Sequence, residues 1–95
     1  MTPDAHPAEV VWRRRDDVSW RRSIDAVVLR PAGAPAPAAL PGTAAAVWDL
    51  LAEPATLAEL VATLAEVYAT DPVAITADVE ALLARLVDLG AVEAV

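Results

Sequence analysis

Residues 31–41 read P-A-G-A-P-A-P-A-A-L-P, with four prolines in eleven positions. No other stretch limits the fold so strongly. Proline has no N–H to give a helix interior or a central strand, so this segment must be a loop or an edge strand. It divides the chain into two parts of different character. Before it, valine and tryptophan alternate with polar residues; after it, alanine, leucine and valine recur at helical spacing.

In the first part, V-S-W-R-R places Val18 and Trp20 in alternation with polar residues, and A-V-V-L is a short apolar run. Ser23-Ile24-Asp25 lies between them as a turn. The pattern predicts strands over 18–23 and 26–30 paired as a hairpin. A third extended piece is expected over 36–40, at the end of the proline segment. Residues 1–15, with the apolar patch Val10-Val11-Trp12 and the run R-R-R-D-D, are expected to be a flexible segment preceding a domain over 16–95. Trp12 and Trp20 are expected to share one sheet face.

In the second part, Thr43 follows Pro-Gly as an expected N-cap, and Ala44, Val47, Trp48 and Leu51 make one apolar face. Glu53-Pro54 stops this helix, because the residue before proline disfavours helical backbone. T-L-A-E at 56–59 is a capping box, with Leu57, Leu60, Val61, Leu64 and Tyr68 as the stripe behind it. Asp71-Pro72 restarts the chain with an N-cap and a proline at the first helical position. Ile75, Val79, Leu82, Leu86 and Leu89 repeat at spacings of four and three, and Gly90 suits the end. Helices are thus expected near 43–52, 57–69 and 72–89, with a short extended tail over 91–95. The fold class is α+β: a three-stranded antiparallel sheet followed by three helices, the parts of a small winged helix-turn-helix domain.

Charge and composition exclude several functions. The net charge is −7. Six of the seven arginines lie in residues 1–31, which carry +1; residues 32–95 carry −8 and would repel a phosphate backbone. There is no cysteine and one histidine, His6, so neither a thiolate nor a histidine metal site is expected. Ser19, Ser23, the threonines and Tyr68 have no histidine base beside them, and the three glycines are far apart. No catalytic residue, metal or cofactor is expected, and the chain is not expected to be an enzyme. The serines lie in the hairpin, where they cannot open a helix as a carrier-protein serine must. The apolar stretch over 26–52 is interrupted by Arg30, Asp49 and prolines, so no membrane span is expected and the location is read as cytoplasmic.

Four segments carry a resemblance: D-D-V-S-W-R-R-S-I-D-A-V-V-L, A-L-P-G-T-A-A-A-V-W-D-L-L, and the helical stretches A-T-L-A-E-L-V-A-T-L-A-E-V-Y and D-P-V-A-I-T-A-D-V-E-A-L-L-A-R-L-V-D-L-G-A-V. Over about residues 16–92 the chain resembles the PqqD-like proteins, the peptide-recognition elements of ribosomally made, modified peptides. The family pattern Leu-Asn-x-Thr-Ala-Ala-x-x-Trp-x-Leu-Leu maps onto Leu40 to Leu51, with Pro41 in the place of Asn. The resemblance implies a non-catalytic protein that holds the leader of a precursor peptide for a separate enzyme. That enzyme would be a radical-SAM protein, a protease, a cyclase or a dehydratase; neither nucleic acid nor a membrane is an implied partner. The alternatives are a DNA-binding regulator and another protein-interaction adaptor.

In the family the leader adds as a strand to the third strand and lies beside the third helix. Carried over, this implies Ala38, Ala39 and Leu40 on the strand. On the third helix the apolar arc spans roughly 160°. Its edge of Asp78, Leu82, Arg85 and Leu89 is the expected peptide-facing one. Arg85 would pair a leader carboxylate, or else Asp78 or Asp88. Pro35, Pro37 and Pro41 are all odd-numbered, so in an extended chain their missing N–H groups fall on one edge. That edge must be the unpaired one, where only Ala39 can donate.

Overall fold

The computed structural model describes residues 10–95. The expectation for His6, and that for the first nine residues of the flexible segment, lie outside them. The elements run β1 (Val11–Arg14), β2 (Val18–Arg22), β3 (Ala26–Pro31), β4 (Ala38–Pro41), α1 (Gly42–Leu50), β5 (Ala55–Thr56), α2 (Leu57–Val67), α3 (Pro72–Asp88) and β6 (Val92–Ala94).

β2 and β3 form the expected hairpin, with Val18 opposite Pro31 and Arg22 opposite Val27. The Ser23 N–H donates to the Ala26 carbonyl at 2.8 Å and closes the turn, leaving Ile24 in solvent. β4 pairs antiparallel with β3 and is a free edge of a sheet ordered β2-β3-β4. Val27, Leu29 and Leu40 point from this sheet into the core. They meet Val47, Trp48 and Leu51 after the proline segment, Leu60 and Leu64 of α2, and Val79, Leu83 and Leu86 of α3.

The expected helices are present, and two of their starts are as expected. The Thr56 hydroxyl accepts from the Glu59 N–H at 3.1 Å, while Glu59 Oε1 accepts from the Thr56 N–H at 2.8 Å. Such a cap is worth about 1 kcal/mol. Asp71 caps α3 by accepting from the Val73 N–H at 2.9 Å. The start of α1 differs. Pro41, still extended, occupies the N-cap position, and no side chain caps the helix. Thr43 is not the cap because β4 runs straight into the helix through Gly42, whose φ of +56° glycine adopts at little cost.

A second sheet, ordered β5-β1-β6, corrects the expectation of one sheet and of a flexible segment through residue 15. β1 lies between β5 and β6, with Trp12 opposite both Ala55 and Ala94. Arg14 also ties β1 to the end of α1. α1 has no basic residue in its last turn. Arg14 supplies the missing cation from outside: Nε and Nη2 donate to the Trp48 carbonyl at 3.0 and 2.6 Å. The guanidinium lies over the Trp48 and Trp20 rings, 4.4 and 4.9 Å from their centres. Burial lowers its pKa from the ordinary value, opposed by the charge of Asp49. Trp20 therefore meets Trp48, not Trp12: the two expected partners belong to different sheets, and the Trp20 and Trp48 rings stand edge-to-face at 5.9 Å.

A candidate peptide-binding edge and cleft

Main-chain direction on β4 follows from the hairpin. Ser23 N–H reaches the Ala26 carbonyl, and Ala32 N–H reaches the Asp17 carbonyl at 3.0 Å. Even-numbered residues of β3 thus turn their main chain to β2, and odd-numbered ones turn it to β4. Val27 faces Leu40 and Leu29 faces Ala38. The main chain of Ala38 and Leu40 is consequently turned inward to β3, and that of Ala39 and Pro41 outward.

This sorts the three strand residues named from sequence. Ala39 is exposed and presents both its N–H and its carbonyl to the free edge. Leu40 does not contribute: its side chain is fully buried in the core and its main chain faces β3. Ala38 is half-buried and also faces β3. Pro41 turns its main chain to the unpaired side and Pro37 continues the alternation, while Pro35 lies in the bend before β4. Between Pro37 and Pro41 the edge offers two free carbonyl acceptors, those of Pro37 and Ala39, and one donor, the Ala39 N–H; the Pro41 carbonyl, at the N-cap, takes the first bond of α1.

A cleft of about 700 Å³ runs along α3. Ile75, Val79 and Leu82 supply most of its apolar lining; Asp78, Arg85 and Tyr68 are among its exposed members. Thr43, two residues past Pro41, also lines it, so the cleft reaches the end of β4. Three of the four helix residues named from sequence come together here: Asp78, Leu82 and Arg85. Leu89 does not line the cleft and instead packs against the core. Leu82 serves both, touching the core and lining the cleft. Arg85 forms no ion pair with Asp78, Asp88 or any other carboxylate among the described residues.

Sequence reasoning missed Ile75, Tyr68 and Thr43. Ile75 continues the stripe 78, 82, 85 by one turn toward the N-terminus, a signal available in the spacing. Tyr68, an aromatic at the exposed end of α2, was read only as part of the helix's apolar stripe. Thr43 is placed by the β4–α1 junction, which spacing does not reveal. Among the described residues no cluster of His, Cys, Asp or Glu is arranged to hold a metal ion, and no helix is long and apolar enough to cross a membrane.

The family model of coenzyme PQQ synthesis protein D (PqqD) matches residues 25–92. No curated protein matches the chain. Among solved structures, it is similar to the PqqD truncation of Methylobacterium extorquens PqqCD, determined in solution by NMR. That protein is described as a functional, stand-alone recognition element for ribosomally synthesized and post-translationally modified peptides. The identity is 26%, the TM-score is 0.72, and the match covers 92% of this chain and 97% of that one. With three helices behind antiparallel sheets and a match over most of its length, the chain belongs to the PqqD family.

Proposed function

We propose that this protein binds the leader segment of a ribosomally made precursor peptide and presents it to a separate modifying enzyme. The observation that carries this reading is the continuity of the β4 edge with the α3 cleft through Thr43. A strand added to the edge gains main-chain hydrogen bonds, and its inward side chains fall toward the cleft. Leu82 and Ile75 would take apolar leader residues, and Arg85 would take a carboxylate. The modifying enzyme would be a radical-SAM protein, a protease, a cyclase or a dehydratase.

The prolines shape how the leader is held. The edge accepts more than it donates, so the leader must supply N–H groups beside Pro37 and Ala39. Augmentation is therefore weaker than on an ordinary edge, and α3 contributes more of the affinity.

Titration calorimetry with the leader of the precursor peptide encoded in the same gene cluster, and separately with duplex DNA, tests the reading. Saturable binding of the peptide and none of the DNA is expected; DNA binding that falls steeply with salt would favour a regulator. The edge itself is tested by Ala39→Pro. Its N–H bonds nothing in the fold, so the melting temperature should hold. Leader affinity should fall about fivefold, the net worth of one hydrogen bond. A loss of stability would show that Ala39 faces β3 instead.

A further inference from the structure

The face of the β2-β3-β4 sheet turned away from the helices is not covered by any other of the described residues. Val27, Leu29 and Leu40 point inward, so Arg21, Val28, Arg30 and Ala39 stand on the outer face. Arg21 is opposite Val28, and Val28 is opposite Ala39. Continuing the β3–β4 register by one residue sets Pro37 beside Arg30. Arg21, Val28, Arg30 and Pro37 border one hollow of about 290 Å³.

The charge around this hollow has one sign. Arg13, Arg15 and Arg22 each meet a carboxylate, and Arg14 meets a carbonyl. Arg21 and Arg30 form no ion pair among the described residues, in a chain with 14 acidic residues and seven arginines. Among the described residues no acidic one lines the hollow.

We propose that this hollow receives an acidic side chain of the leader, carried by the residue that lies beside Pro37. The inference rests on the leader-binding reading and extends it to the opposite sheet face. Side chains of a strand added to β4 alternate between the cleft and the outer face. Those beside Ala39 and Pro37 join the outer one. Arg30 stands two strand spacings from the leader main chain, roughly 10 Å. Only proline and alanine intervene, and neither rises high enough to block a guanidinium from a leader Glu or Asp. The cleft thus reads one set of alternate leader residues, and Arg30 reads an acidic member of the other set.

A double-mutant cycle tests this. Wild-type protein and Arg30→Ala are titrated with the leader peptide and with versions in which each Asp or Glu is changed in turn to Asn or Gln. Arg30 is exposed, so the variant should keep its melting temperature. Its affinity should fall about three- to tenfold. One acidic substitution, and no other, should cost wild type the same and cost Arg30→Ala nothing further. Unchanged affinity of Arg30→Ala, or losses that simply add at every acidic position, would overturn the proposal while leaving leader binding intact. Failure of the wild type to bind any leader would remove the underlying reading as well.

Discussion

Trp48→Ala is expected to leave this domain largely unfolded at physiological temperature. The side chain is fully buried, packs edge-to-face on Trp20 and lies under the Arg14 guanidinium. Truncating a buried Trp costs about 3–5 kcal/mol, and a chain of this size has about 5–15 kcal/mol in total. The melting temperature, followed by far-UV circular dichroism, should drop by roughly 15 °C or more. Trp48→Phe separates packing from polarity. Trp48 Nε1 is buried without an acceptor among the described residues, so losing that N–H offsets part of the lost volume, and Phe should cost much less than Ala. A fall of under about 5 °C for Trp48→Ala would contradict the central place given to this ring.

Arg85→Glu is expected to weaken leader binding by about 10- to 100-fold without changing stability. Arg85 is exposed and holds no ion pair among the described residues, so the fold does not depend on it. A hydrogen bond to a charged group is worth about 1.5–3 kcal/mol, and reversal adds repulsion. Arg85→Lys should recover only part of the affinity, because an ammonium lacks the planar fork that matches a carboxylate. Calorimetric titration reads both variants. Affinity within threefold of wild type for Arg85→Glu would place the leader carboxylate elsewhere.

Much of the fold is legible in the sequence because local signals agree with packing. The Thr56–Glu59 capping box, Asp71-Pro72 and the alternation of Val18 and Trp20 all act within a few residues, and each appears in its expected place. The second sheet was not legible. R-R-R-D-D reads as a solvated charge run, and nothing local says that Arg14 will stack on Trp48, 34 positions away. β6 falls within the extended tail expected over 91–95, but its pairing with β1, at the other end of the domain, leaves no local sign.

The geometry of the candidate site was legible where it depends on helical period or strand parity. The stripe of Asp78, Leu82 and Arg85 follows from the period, and the outward prolines follow from parity. Leu40 was misassigned because a leucine at a strand end gives no sign of which face it takes; here it faces α1 and the core. The hollow at Arg30 depends on register across three strands, which no single segment encodes.

The central claim is that a leader strand adds to the outward edge of β4, and the Ala39 amide reports on it directly. In the free protein this N–H faces solvent and should exchange rapidly with deuterium. Saturating leader peptide should slow its exchange by at least about tenfold, while the Ala38 and Leu40 amides, already turned to β3, change little. An Ala39 amide that exchanges at the free rate in the peptide-saturated protein would contradict strand addition.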